Sequence, residues 1–162
     1  MNATFTLRTE SERQGDQTWR LKEGQIRFRG TKSYQNLVVQ RVPASIEQIQ
    51  QFSDAMDLLD VWRWRPNYHS EEAGWRVLDG GTWSFKAEFH GRIICCEGEE
   101  GYPSFGDPLQ VSINLSRFGL LIAAMYDVFA IDPLIAKARK MADHEQNLAR
   151  KDSSSESQQS DV

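Results

Sequence analysis

The chain has 162 residues, which suits one globular domain better than two. Hydrophobic residues make up 40% of it and charged residues 26%, a balance that excludes a wholly disordered chain, a collagen and a disulfide-rich miniprotein. The formal net charge of −4 argues against a dedicated nucleic-acid binder, and no apolar run is long enough for a transmembrane helix.

The N-terminal part of the chain shows the period-two alternation of half-buried antiparallel strands. Glu23-Gly24 separates two of these segments and is typical of a two-residue hairpin turn. A β-branched run ends at Pro43, which lacks the N–H that a central strand needs. The predicted strands cover residues 4–8, 19–22, 26–29 and 37–42.

A helical pattern follows Pro43. Ser45 and Gln48 fit a capping box, in which each side chain satisfies a backbone N–H of the first turn. Apolar residues then recur at three- and four-residue spacing and predict an amphipathic helix over 46–59. They are Ile46, Ile49, Phe52, Met56 and Leu59.

Alternation returns in residues 60–65, where it predicts a strand with Trp62 and Trp64 on one side. A short run, 75–78, leads to the turn Asp79-Gly80-Gly81. Residues 83–90 and 92–97 then read as a second hairpin around Gly91, and residues 98–108 read as a loop.

The C-terminal third predicts helices. Asn114 or Ser116 caps a helix with an apolar face, and Asp132 caps another that has Pro133 in its first turn. The apolar face comprises Phe118, Leu121, Ile122, Met125, Val128 and Phe129. From residue 152 the sequence is polar and without periodicity, which predicts a disordered tail.

Together these elements predict one α+β domain over residues 1–150, followed by a disordered tail over 151–162. Its architecture is a twisted antiparallel sheet of about six to eight strands, with two to three helices packed on one face. The hairpin connections are too short for parallel βαβ winding.

Three motifs carry a resemblance to a known family: Val61-Trp62-Arg63-Trp64, the turn 79–83 that ends in Trp83, and Gly98-x-x-Gly101-Tyr102-Pro103. The pattern resembles a group of small bacterial proteins that have no established activity. The resemblance implies a cytoplasmic α+β protein. Because such groups include toxin-immunity and interaction proteins, it also favours a binding role.

Four tryptophans, Trp62, Trp64, Trp75 and Trp83, fall within 22 positions, and Tyr102 follows them. We interpret the set mainly as packing inside the sheet, with one or two indoles at the surface. The alternative is an aromatic-lined binding cleft or an interface hot spot.

The first predicted hairpin carries basic residues on the side opposite its apolar ones. Arg20, Lys22, Arg27 and Arg29 share that side, with Arg8 beside them on the preceding strand. Such a stripe suits an acidic protein surface or phosphate, although charges on the wet face of a sheet are also ordinary.

Candidate catalytic and metal-ligating residues form no coherent set. His69, His90, Cys95 and Cys96 lack the recurring spacing of a zinc site, and adjacent cysteines in a strand point to opposite faces. Asp79 is explained by its turn, and the acidic residues of 97–107 lack the ligand order of a calcium loop. We therefore expect no cofactor, no metal and reduced thiols.

The favoured hypothesis is a non-catalytic cytoplasmic protein that binds another protein, of immunity type, through its sheet face or aromatic cleft. The first alternative is a small hydrolase or transferase that uses a cysteine or a carboxylate near Trp62 and Trp64. The second is nucleic-acid binding through the basic hairpin. We expect no membrane association, and a homo-oligomer is left open.

Overall fold

The computed structural model describes residues 3–76, 80–114 and 116–156. The helices are α1 (Ile46–Leu58), α2 (Arg117–Val128) and α3 (Ile131–Glu156). The strands are β1 (Ala3–Ser11), β2 (Gly15–Lys22), β3 (Gln25–Gly30), β4 (Leu37–Pro43), β5 (Asn67–His69), β6 (Thr82–Phe89), β7 (Arg92–Glu99), β8 (Tyr102–Pro103) and β9 (Val111–Ser112).

The predicted α+β architecture is confirmed. Seven strands form one open, twisted sheet in the order β4-β3-β2-β1-β6-β7-β5, and β8 pairs with β9 in a small separate sheet. Neighbours in the large sheet are antiparallel except β5, which lies parallel to β7. The sheet is therefore mixed at one edge. Consecutive strands are neighbours from β1 to β4 and from β6 to β7, whereas β1 and β6 pair although they are distant in the chain.

The predicted hairpin turn between β2 and β3 is confirmed. Glu23 and Gly24 have φ values of 53° and 66°, the left-handed pair of a tight hairpin turn, and they set Lys22 opposite Gln25. This register keeps the alternation of both strands in phase, so that every second side chain is buried.

The helices cover one face of the sheet. The capping box of α1 is present, and the Gln48 amide also donates to the carbonyl oxygen of Val128 at 2.8 Å, joining the start of α1 to the end of α2. Phe52 of α1 packs against Phe5 of β1 and against Phe129 after α2, with ring centroids 5.0 and 5.4 Å apart. The core therefore lies between this layer and the inward side of the sheet.

The predicted strand over residues 60–65 is wrong. Val61–Arg63 forms a 3-10 turn that follows Asp60 in the left-handed region, with φ of 56°. Residues three apart in such a turn lie on the same side, which is why Val61 and Trp64 are both buried. The alternation of tryptophans thus does not place Trp62 and Trp64 on one face.

Several boundaries also differ from the sequence prediction. β7 extends to Glu99, and β8 lies inside the predicted loop 98–108. Ser116 caps α2 as expected, whereas α3 begins one residue before Asp132, so that Asp132 lies in the first turn instead of capping it. α3 continues through Glu156, so residues 152–156 are helical, while residues 77–79 and 157–162 lie outside the described residues.

No single helix among the described residues is long and apolar enough to cross a membrane. The pair formed by α2 and residues Ile131–Leu148 passes the length and composition test only when both are taken together, and it is bent by 64°.

Candidate functional site

One face of the large sheet has no helix over it, and its outward side chains form what we call the open face. Alternation along the strands sends apolar residues to the helices and polar residues outward. The exposed charged members are Arg8, Glu10, Asp16, Arg20, Lys22, Arg27, Arg29, Lys86, Glu88, Glu97 and Glu99.

The predicted basic residues do share the open face. Arg20 lies directly opposite Arg27 in the pairing of β2 with β3. Thr18 of β2 lies between Arg8 on β1 and Arg29 on β3. The two strands that carry these arginines are therefore about 10 Å apart. These residues form a basic strip that crosses the adjacent strands β1, β2 and β3. Its members are Arg8, Arg20, Lys22, Arg27 and Arg29.

Lys86 extends this strip onto β6, because Thr6 of β1 separates it from Arg20. A hollow of about 550 Å³ lies here, lined by Arg20, Lys22 and Lys86 together with Glu88 and Ile93. Ile93 is 67% exposed although it lies within a strand. The open face thus offers both positive charge and an apolar contact.

The basic strip lacks internal neutralisation. One side chain of the strip forms an ion pair among the described residues. Lys22 lies 3.5 Å from its neighbour Glu23, and both groups are exposed. An exposed pair of this kind contributes little, because water and salt screen it. Arg20 and Arg27 lie opposite each other in the strand register, and neither forms an ion pair among the described residues.

Acidic side chains border the strip on the same face. Glu10 and Asp16 lie opposite each other near the ends of β1 and β2, and Glu97 and Glu99 lie on β7. A second hollow of about 340 Å³ includes Arg8 together with Glu10, Glu97 and Glu99. The open face is therefore bipolar, with a positive centre and negative borders.

The four clustered tryptophans separate into different environments. Trp64 and Trp83 are buried and meet edge to face at 6.4 Å, and their Nε1 atoms donate to the carbonyl oxygens of Leu59 and Gly101. Tyr102 stacks on Trp83 with centroids 6.1 Å apart. These three side chains pack in or against the core, as expected for most of the set.

Trp62 and Trp75 are the indoles that reach the surface. Trp75 is 60% exposed and stacks on no other ring among the described residues. Trp62 lies under the Arg92 guanidinium, 4.3 Å from ring centre to Cζ, and donates from Nε1 to Asp57. The set does not form the single aromatic cleft proposed as the alternative.

The cluster of Asp57, Trp62 and Arg92 was not predicted from the sequence. Arg92 binds both oxygens of Asp57, at 2.6 and 3.1 Å, and its hydrogen bond lowers the pKa of that carboxyl group. Its members come from α1, the 3-10 turn and β7, so no local pattern in the sequence unites them. The cluster fastens α1 to the edge of the sheet.

The two cysteines occupy opposite faces, as expected for neighbours in a strand. Cys96 is buried, and burial raises the pKa of its thiol to about 12, which leaves it protonated at neutral pH. Cys95 is exposed and lies opposite Lys86. His69 of β5 is paired with Glu99, which lies four residues after Cys95 on β7. The register therefore offsets His69 from Cys95 by about 13 Å along the strand direction.

The remaining sequence candidates carry no reactive grouping. Asp79 lies outside the described residues, and His90 occupies the turn between β6 and β7 with φ of 52°. Glu100 accepts a hydrogen bond from the backbone of Gly81, which gives it a structural role. No group of three or more His, Cys, Asp or Glu side chains in the described ranges could hold a metal ion.

No protein-family model matches this chain, and no curated protein sequence matches it either. The resemblance of residues 61–118 to a group of small bacterial proteins therefore stays a prediction. The functional assignment rests on the geometry of the open face.

Proposed function

We propose that this chain is a non-catalytic binding protein whose open face recognises an acidic surface on another protein. The observation that carries the proposal is the basic strip on an uncovered sheet face, in which Arg20 and Arg27 lie opposite each other. Like charges in directly opposed positions destabilise a sheet, and a carboxylate from a partner would relieve that repulsion.

The bipolar pattern favours a protein over a nucleic acid. A phosphate backbone carries negative charge along its whole length and would meet Glu10, Glu97 or Glu99 once it extended past the basic strip. A protein surface with an acidic patch and a basic rim matches both parts of the open face. Ile93 supplies the apolar contact that such an interface buries.

The thiol version of the enzyme alternative has less support. Cys96 is buried on the helix side, and the register separates Cys95 from His69. A thiol nucleophile needs a base within hydrogen-bond reach, which this spacing does not provide. The immunity-type role implied by the resemblance agrees with a binding surface and adds a toxin as one class of partner.

The experiment compares charge reversal on the open face with the same reversal elsewhere. Arg20→Glu with Arg27→Glu inverts the strip, and Lys137→Glu with Lys140→Glu, at exposed positions of α3, makes the same change in net charge. Proteins retained from native lysate are identified by mass spectrometry, purified and titrated against all three chains. We expect one acidic partner whose affinity falls at least about tenfold with the first variant alone.

Two further measurements decide between partner classes. Filter binding of single- and double-stranded oligonucleotides at low ionic strength tests the nucleic-acid alternative, and light scattering over a range of concentrations tests self-association. Binding of an oligonucleotide, or a partner equally well bound by the reversed open face, would overturn the proposal.

A further inference from the structure

A pocket of about 430 Å³ lies at the other side of the sheet, between the inward side chains of β1 and β2 and helix α2. Gln17 and Trp19 contribute from β2, and Phe118 and Tyr126 from α2. Trp83 closes a further side with its ring 4.2 Å from that of Phe118. The volume and the aromatic walls are those of a small-molecule site.

Two polar side chains of this pocket make no hydrogen bond in good geometry within the described residues, and one of them, the Trp19 indole, has its polar atom fully buried. Gln17 is 8% exposed, and within the described parts of the chain no group donates to its amide or accepts from it. Trp19 is 2% exposed, and its Nε1 has no acceptor in good hydrogen-bond geometry among the described residues, although the Tyr126 hydroxyl lies near it. Buried polar groups are nearly always paired, so the Trp19 N–H indicates an acceptor that the described residues do not supply in good geometry, and Gln17 lines the same pocket.

Gln17 also stands against the pattern of its own strand. Its neighbours on the inward side of β2, Trp19 and Leu21, are apolar and buried, as the alternation requires. An apolar residue at position 17 would continue this apolar side, whereas the amide brings a polar group to the wall of the pocket. A residue that breaks a local rule without a compensating contact is typical of a functional site.

We propose that this pocket binds a planar, uncharged ring compound that carries an amide-like edge. The aromatic side chains offer stacking surfaces, and the Gln17 amide supplies both a donor and an acceptor to a matching amide. The indole N–H of Trp19 is a donor only and requires an acceptor on the ligand.

The rim of the pocket argues for a neutral ligand. Glu10 and Glu100 both line it, and their carboxylates repel an anion. The first turn of α2 also borders it through Ser116 and Gly119, and a helix N-terminus favours an anion. A matched neutral and anionic pair of compounds therefore tests which influence prevails.

The experiment uses 2-naphthamide as the probe, with 2-naphthoate and naphthalene as analogues that keep the ring and change its polar edge. Calorimetric titration of the full chain is expected to show saturable binding of one equivalent of the amide. The anion and the hydrocarbon are each expected to bind at least about tenfold more weakly.

Gln17→Leu tests the polar contact, and Gln40→Leu, at an exposed position of β4, is the matched control. We expect the first variant to weaken 2-naphthamide binding at least about tenfold while its urea midpoint is unchanged or higher, because the unpartnered amide is gone. The second variant is expected to bind as the parent chain does.

The unmodified protein gives a readout that does not depend on any variant folding. The indole N–H resonance of Trp19 is expected to move on addition of 2-naphthamide, whereas that of Trp62, bonded to Asp57, stays in place. No saturable binding, equal affinity for naphthalene, tighter binding of the anion or an unmoved Trp19 resonance would each overturn the proposal. Gln17 lies on the inward side of β2, so Gln17→Leu leaves the open face intact and the role of that face in protein binding is tested separately.

Discussion

The side chain of Tyr68 shows how much one hydroxyl group does in this fold. Tyr68 is fully buried, donates to the carbonyl oxygen of Pro108 at 2.6 Å and accepts from the backbone N–H of Arg65 at 2.8 Å. It therefore holds the segment after the 3-10 turn against the loop before β9. Burial raises the pKa of this phenol to about 12, so the donor is retained at physiological pH.

Tyr68→Phe is expected to lower the free energy of unfolding by about 1–3 kcal/mol, because it leaves a buried N–H and a buried carbonyl without partners. Urea denaturation measures the change. Tyr102→Phe is the control, since the Tyr102 hydroxyl makes no hydrogen bond within the described residues and the ring keeps its stacking. Equal losses in the two variants would show that the hydroxyl bonds of Tyr68 are not the cause.

The Cys96 thiol predicts how stability changes at alkaline pH. Its pKa is raised from 9.0 to about 12 in the folded protein, so the folded state keeps a proton that the unfolded state releases. Stability is therefore unaffected below pH 9 and falls between pH 9 and about 12, by at most about 1.4 kcal/mol for each pH unit from this group.

Urea titrations from pH 8 to 11 under reducing conditions measure this dependence. Cys96→Ala is expected to make the alkaline decline shallower. Cys95→Ala, at the exposed neighbouring position, is expected to change it less, because Cys95 is a smaller cause of the raised Cys96 pKa than burial is. If all three chains lost stability in parallel, the decline would come from other groups, of which the Tyr68 phenol is the first candidate.

At the scale of elements, Gln48 has two separate tasks. Its Oε1 accepts from the backbone N–H of Ser45 in the capping box, and its Nε2 donates to the carbonyl of Val128, at the far end of α2. A cap substitution costs about 1 kcal/mol, and the loss of the second bond adds to it.

Gln48→Ala is therefore expected to lower the free energy of unfolding by about 1.5–2.5 kcal/mol, measured by chemical denaturation. Gln50→Ala is the matched control, because within the described residues the Gln50 amide bonds to Asp54 alone, on the exposed side of the same helix. Such i,i+4 pairs contribute a few tenths of a kcal/mol. A Gln48 variant as stable as the Gln50 variant would refute the link between the helices.

The sequence predicted those elements whose pattern is long and local. The hairpins of β1–β3 and of β6–β7 follow from alternation sustained over many residues, and the turn at Gly24 follows from its need for positive φ. The strand predicted over residues 60–65 was wrong because a short alternation of tryptophans also fits a 3-10 turn. There, burial at positions three apart replaces burial at positions two apart.

The pairing of β5 with β7 was not predictable for a related reason, since it is three residues long and joins distant parts of the chain. The basic side of the open face was predictable, because alternation fixes the direction of each side chain. The pocket was only partly predictable from the sequence. Gln17 is a polar residue in an inward position, which the sequence shows, but α2 reaches it only in the folded chain.

At the scale of the whole molecule, the two sides of the sheet are built differently. The inner side is an aromatic core, interrupted at one end by the pocket around Gln17. On the open face, Arg20 lies opposite Arg27 and neither forms an ion pair among the described residues, so we expect a local repulsion that lowers stability at the surface we propose for partner binding. Proteins commonly keep such locally unfavourable features where they bind.

This trade-off gives a test that requires no partner. Arg27→Thr removes the charge opposite Arg20 and is expected to raise the free energy of unfolding by about 0.2–1 kcal/mol at low ionic strength. The gain is expected to shrink as salt screens the repulsion. Arg29→Thr is the matched control on the same strand, because Arg29 lies opposite Thr18 and Val38 rather than a like charge. Urea midpoints at low and high salt measure both variants. An Arg27 variant that is no more stable than the Arg29 variant at low salt would mean that the basic strip carries no folding penalty for a partner to relieve.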